Sequence, residues 1–108
     1  ADNLAGAGDV SGERLWRMPL PDEYQELIST PIADSVNSSK GPGSITAALF
    51  LKAFAGGLPW AHLDLSSIAE SPRDEHEYSL GATGAGARLL TTWLAGDTPT
   101  AGIRRSAE

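Results

Sequence analysis

The chain contains no cysteine, few basic residues and no long apolar run. Without cysteine there is no disulfide framework and no thiolate metal site. That fits a cytosolic protein. Lys and Arg together number 8 against 14 Asp and Glu, a net charge of −6. A general nucleic-acid surface needs clustered positive charge, and this balance gives it no support. No apolar stretch approaches the roughly 18 residues of a membrane span. The opening ADNLAGAGDV has no basic start followed by an apolar run, so it does not read as a signal peptide. It also begins without Met, and its spacing resembles a helix already under way. The expectation is that the chain is a piece of something longer.

What is present is compatible with one modest domain. A chain of 108 residues reads as at most one domain. It can bury roughly 65% of its unfolded surface. Hydrophobic content is 41% and charged content 20%, both in the globular range. The 12 glycines and 7 prolines imply many turns.

Periodicity then divides the chain. Residues 2 to 12 read as a weak helix frayed by Gly6 and Gly8. ERLWRMPL, residues 13 to 20, alternates and runs into prolines, so it is a short strand or extended segment. In PDEYQELIST, Pro21 suits a first helical turn, and Asp22 and Glu23 suit the positive end of the helix dipole. Tyr24, Leu27 and Ile28 then form an i, i+3, i+4 face, with Pro31 as a stop. A polar loop over residues 32 to 43 leads to the strongest helix, residues 44 to 56, with Ser44 as N-cap and Gly56-Gly57 as stop. Ile45, Leu49, Phe50 and Phe54 cover a wide arc of it, which predicts burial against more than one neighbour. WAHLDLSSI, residues 60 to 68, reads as a strand. Its Ala61, Leu63 and Leu65 point one way, and Trp60, His62, Asp64 and Ser66 the other. A charged loop over residues 70 to 79 follows, then a helix opening near Thr83 with Leu89, Leu90, Trp93 and Leu94 as its apolar side. The order predicts an α/β fold with helices packed on a sheet. Two candidate strands are too few for a stable sheet, so further strands are expected from a longer chain or a partner.

Several stretches invite chemistry. His62 and Asp64 share a strand face with Cα atoms ~7 Å apart, which admits a metal pair or an imidazole oriented by a carboxylate. A metal site needs three or four ligands, and no third stands at a fixed spacing. Structural hydrogen bonds are the better reading of the pair. Asp74, Glu75, His76 and Glu77 gather oxygens without the spacing of a calcium loop, and read as a solvated charge run. GATGAG, residues 81 to 86, precedes a helix and could hold a phosphate on free N–H groups. It has neither the Walker lysine nor full dinucleotide spacing, so a tight turn with close helix packing explains it better. SKGPGS, residues 39 to 44, is explained by a flexible entry to the helix at Ser44. In open α/β sheets ligands gather beyond the carboxyl ends of strands, which makes Ser66 to Ala69 the best positional candidate for a site. No G-x-S-x-G elbow surrounds these serines, so serine hydrolysis is not favoured.

GERLWRMPL (12–20), IAD (32–34), GPGSITAALFLKAF (41–54), WAHLDL (60–65) and GATGAGARLL (81–90) occur in the order found at the end of leucyl (cytosol) aminopeptidases, and the chain resembles that family. The resemblance spans about residues 10 to 94. It implies a metallopeptidase with two divalent ions, zinc or manganese, that releases N-terminal residues, often leucine, from peptides. It implies a homo-hexamer in the cytoplasm, with no membrane association. Residues 1 to 95 are then the C-terminal part of the catalytic domain, within a three-layer α/β/α sandwich of which the chain holds an incomplete sheet with helices on both faces. Residues 96 to 108 are expected to be a disordered tail. The family's metal-binding stretch, Asn-Thr-Asp-Ala-Glu-Gly-Arg, is absent, so the resemblance places no catalytic residue and no metal ligand in this chain. It does place Ser66 and Ala69 on the wall of the pocket for the substrate's N-terminal side chain. The small apolar Ala-Gly of the family is Ser66-Ser67 here. His62 and Asp64 then belong to a scaffold block. The chain alone is expected to be inactive and loosely folded, needing the remainder of the catalytic domain. The alternatives are a non-catalytic relative acting as an assembly or binding module, and a free-standing small α/β domain.

Overall fold

A computed structural model describes residues 1–37 and 40–96. Its elements run α1 (Asp2–Ser11), a 3-10 helix (Asp22–Ile28), α2 (Gly43–Lys52), β1 (Glu70–Ser71), β2 (Gly81–Ala82) and α3 (Ala87–Ala95). The chain divides into two units. Among the described residues, one takes Ala1–Arg17 and residues 63–96, and the other takes Met18–His62.

In the first unit α1 packs on α3. Leu4, Ala7 and Leu89 are buried there, Leu89 to 1% exposure. The glycines expected to fray α1 have a different use at Gly8. A Cβ there would lie 2.7 Å from the Glu13 carbonyl oxygen and 3.3 Å from a Leu89 methyl. Only a residue without a side chain lets the returning chain and α3 come this close. Gly12, in the left-handed conformation at φ 79°, ends α1 as a helix C-cap. Residues 13 to 20 have no regular secondary structure and no strand partner among the described residues.

In the second unit the 3-10 helix and α2 enclose Ile28, Ile45 and Leu49, with Leu20, Tyr24, Val36 and Phe50 packed around them. The acidic segment folds as a 3-10 helix, where an α-helix was expected. Pro19, Pro21 and Pro31 leave it too little length for long i→i+4 runs, and its ends close on tight bonds from Tyr24 N–H to Pro21 O and Ser29 N–H to Glu26 O, each 3.3 Å. The loop beyond returns onto it: Val36 N–H and Ser35 Oγ both donate to the Ile28 carbonyl, at 2.8 and 3.1 Å.

α2 opens at Gly43, with Pro42 in the cap position and no side-chain cap, so Ser44 lies in the first turn and does not cap it. The Pro42 carbonyl accepts from Ile45 and Thr46 N–H at 2.9 and 3.1 Å. The α-helix stops at Lys52, and the expected length to residue 56 is completed by i→i+3 turns that lead into left-handed Gly56 and Gly57. Such turns satisfy the last carbonyls of a helix. Ile45, Ala48 and Leu49 are buried, but Phe54 on the same wide arc is 71% exposed. Among the described residues, α2 therefore covers only part of its apolar surface.

The expected strand over residues 60 to 68 does not form. The only ladder among the described residues joins β1 to β2, antiparallel, pairing Glu70 with Ala82 and Ser71 with Gly81. A strand is defined by hydrogen bonds to a neighbour, and alternation within one segment cannot supply them. The ladder is part of a hairpin formed by the charged loop, with an inner bridge between Glu75 and Tyr78. α3 begins at Ala87, four residues later than expected from Thr83, because residues 83 to 86 make a turn of their own. The expected tail, residues 96 to 108, lies outside the described residues apart from Gly96.

Candidate functional site

Ser66, Ser67 and Ile68 form an exposed turn, and Ala69 follows it into β1. Asp64 organises its entry. Its Oδ1 accepts from the Ser66 N–H at 3.1 Å and from the Ser66 hydroxyl at 2.6 Å. An Asp that bonds the backbone two residues on is a standard turn former. The Ser66 proton is thus directed to a carboxylate, and its oxygen is left with accepting capacity toward solvent.

The far side of the turn is held by Thr83, from the GATGAG stretch. Its hydroxyl donates to the Ile68 carbonyl at 2.6 Å, and its backbone N–H donates to the Ala69 carbonyl at 3.0 Å. The same hydroxyl accepts from Ala85 N–H at 3.2 Å. Gly86 completes the grip. It has φ 89°, and a Cβ there would stand 3.0 Å from a Leu65 methyl. Leu65 therefore lies directly against the start of α3.

That start is capped from far away in sequence. Glu13 accepts the Leu89 N–H at 2.6 Å through Oε2 and the Gly86 N–H at 3.3 Å through Oε1. A carboxylate at a helix N-terminus satisfies orphan N–H groups and complements the dipole. The question of a phosphate at GATGAG is answered here, because the chain's own Glu13 takes two of the N–H groups that an anion would use. The GE of the 12–20 block and the GATG block are two halves of one device.

His62 stacks on Trp60 with ring centroids 6.1 Å apart and an interplanar angle of 26°, while Asp64 holds the Ser66 turn. The charged loop is largely exposed, and its charges pair both within it and with α3. Arg73 meets Glu75 at 2.9 Å, Arg88 meets Glu77 at 3.5 Å, and Asp74 accepts the Leu80 N–H at 2.8 Å. His76 sits at its tip with φ 54°. A depression of 290 Å³ between the 30–37 loop and Phe50 has no titratable side chain in its lining, so it offers no acid, base or metal ligand.

Among the described residues no three His, Asp or Glu side chains gather as a metal ion requires. These residues do not fit a metal pair, and no chemical step is derived through one. What the site offers is a shaped, fastened surface. Strand-end position pointed to the segment from Ser66 to Ala69 and the family resemblance to Ser66 and Ala69 themselves, and neither pointed to Glu13 or Thr83. Glu13 lies 73 and 76 positions from its partners, far beyond any local period. The only available signal was the co-occurrence of the two blocks.

Comparison with known proteins now places the chain. Residues 1–91 match the family model described as "Cytosol aminopeptidase family, catalytic domain". The chain belongs to the cytosol aminopeptidase family, a family of peptidases that act on peptide N-termini. It is 47% identical over 97 residues to a probable cytosol aminopeptidase of Picosynechococcus sp., an alignment covering 87% of this chain and 19% of that protein. It is 46% identical over 97 residues to the one of Caulobacter vibrioides, covering 88% of this chain and 20% of that protein. Among solved structures it is similar to the bottromycin maturation enzyme BotP in complex with Mn, with a TM-score of 0.77 at 35% identity, covering 84% of this chain and 21% of that one. A tomato leucine aminopeptidase mutant gives 0.72 at 36% identity, covering 86% and 18%. The chain spans about a fifth of the length of these relatives. No helix among the described residues is long and apolar enough to cross a membrane.

Proposed function

We propose that this chain supplies core helices and one wall of the substrate pocket in a leucine-type aminopeptidase, and that it has no activity alone. In this reading residues 1 to 95 are the C-terminal part of a catalytic domain built as a three-layer α/β/α sandwich. Ser66 and Ala69 face the substrate's N-terminal side chain. Two divalent ions, zinc or manganese, are held by residues other than the described ones. The whole protein is a cytoplasmic homo-hexamer acting on peptides.

The observation that carries the reading is the match of residues 1–91 to the family's catalytic domain, joined to a site that holds a surface in place without bringing reactive groups together. Uncovered apolar side chains support it as well. Ile32 is 92% exposed and Trp16 89%, although both lie in blocks shared with the family. Large apolar side chains left in water mark surfaces that another part of a protein covers, and the remainder of the catalytic domain is the natural cover. The extended 60–65 segment, lacking a ladder partner among the described residues, is accounted for in the same way.

The test is a hybrid in which this whole chain replaces the matching segment of the Caulobacter vibrioides relative. With manganese supplied, the hybrid is expected to hydrolyse leucine amide, and the 108-residue chain by itself to release nothing. Hydrolysis by the chain alone, or a folded hybrid that is inert, overturns the reading. The second outcome would favour a non-catalytic assembly module.

A further inference from the structure

Thr83 touches the Ser66–Ala69 turn at two consecutive carbonyls, and nothing in its residue type demands this. A threonine in a glycine-rich turn is ordinarily satisfied by its own loop. Here one bond of its hydroxyl stays in the loop, as acceptor from Ala85 N–H, and its proton leaves the loop for Ile68 O, 15 residues away. With the Thr83 N–H on Ala69 O, the peptide plane between Ile68 and Ala69 and the one after it are both held. The backbone bond at Ala69 continues the β1–β2 register by one pair beyond Glu70 and Ala82, so the ladder itself ties Ala69, and the hydroxyl bond alone carries the grip on to Ile68. Asp64 ties the opposite end at Ser66, and within the turn the Ile68 N–H donates to the Leu65 carbonyl at 3.0 Å. The turn is exposed and short, so these few polar ties set where its side chains stand.

Thr83 is itself held. Gly84 and Gly86 are both in the left-handed region, at φ 69° and 89°, and the loop they form ends on the N-terminus of α3 that Glu13 caps. A displacement of Glu13 would be passed through Gly86 to the loop that carries Thr83.

We propose that Thr83 is a positioning residue for side-chain specificity, setting the place of the Ser66–Ala69 wall, with Glu13 steadying the loop that carries Thr83 from the N-terminus of α3. The inference rests on the reading that this wall faces the substrate. It adds that discrimination among N-terminal side chains depends on a hydroxyl that does not contact substrate.

The hybrid enzyme tests it with leucine amide and glycine amide as paired substrates, because glycine has no side chain to reach the wall. The unsubstituted hybrid is measured first. If it hydrolyses neither amide, the reading fails and this inference falls with it. If it is active, Thr83→Val, which keeps the shape and removes the hydroxyl, is expected to raise KM for leucine amide about tenfold, on the scale of one or two lost hydrogen bonds. Glycine amide kinetics stay unchanged, and deuterium uptake over residues 66 to 70 rises. Thr83→Ser, which restores the donor, returns leucine KM to its starting value. Glu13→Gln shifts leucine KM in the same direction by about threefold and serves as the deciding variant if Thr83→Val does not fold. Equal losses for both amides, or a lower kcat with unchanged leucine KM, reveal general damage to the fold and overturn the proposal. Unchanged discrimination in an active Thr83→Val hybrid does so as well.

Discussion

The two units are held by different means. The second, Met18–His62, closes on apolar side chains: Ile28 and Leu49 are almost wholly buried, and Tyr24, Val36 and Phe50 pack around them. The first has a thinner apolar seam, centred on Leu4, Ala7 and Leu89, and adds polar ties that join distant parts of the chain. Glu13 reaches the N-terminus of α3, and Thr83 reaches the turn after Leu65. The difference is instructive because burial is non-directional, whereas hydrogen bonds fix geometry. A unit that only has to be solid can rely on packing. A unit that has to present a turn in one place needs directional contacts.

Hydrogen–deuterium exchange of the hybrid, read separately over the two units, would break or sharpen this contrast. The largest effect is expected from Leu49→Ala, which removes a side chain 2% exposed from the centre of the second unit. Such changes cost about 2–5 kcal/mol, and the loss of protection should be confined to the 3-10 helix and α2. Gly8→Ala is next, because its new Cβ would stand 2.7 Å from the Glu13 carbonyl oxygen. Overpacking of this kind costs about 1–3 kcal/mol, and faster exchange should appear in α1 and α3 together. Glu13→Ala removes both capping bonds to α3. A loss of about 1–2 kcal/mol is expected, concentrated at residues 86 to 89, as for other helix caps. Protection at α3 equal to that of the original hybrid would show that the cap is incidental. The smallest effect belongs to Arg17→Ala, whose ion pair with Asp2 has side chains 75% and 94% exposed. Exchange should stay within about 0.5 kcal/mol of the unsubstituted hybrid.

Ser66→Ala sharpens the comparison at the level of function. It removes the hydroxyl bonded to Asp64 while the Thr83 clamp at Ile68 and Ala69 persists. In the hybrid, an apolar wall is expected to improve kcat/KM for leucine amide by about threefold, a modest change of the size that small apolar contacts give. A decline would mean that the Asp64–Ser66 bond is needed for placement.

Local pattern was a fair guide wherever the interaction that makes an element is itself local. The helices of residues 2–11 and 43–52 were legible because 3.6-residue spacing operates within a few positions. The 60–68 stretch shows the opposite case. Its alternation of Trp60, His62 and Asp64 with Ala61, Leu63 and Leu65 is real, yet pairing depends on a neighbour that local pattern cannot provide. The hairpin over residues 70 to 82 was hidden by its charges, which pair within the loop through Arg73–Glu75 and with α3 through Glu77–Arg88.

By themselves, residue type and near spacing marked the helical segments, while the resemblance carried by the order of short blocks pointed to the family and to Ser66 and Ala69 as candidates. Only the tertiary structure decided that Glu13 caps α3, that Thr83 clasps Ile68 and Ala69, and that Gly8 must lack a side chain. The first and third are contacts between segments brought together by the packing of α1 on α3, and the second is made where the β1–β2 hairpin opens. Hydrogen bonds and close approaches of that kind act over about 3 Å in space and leave no period along the chain.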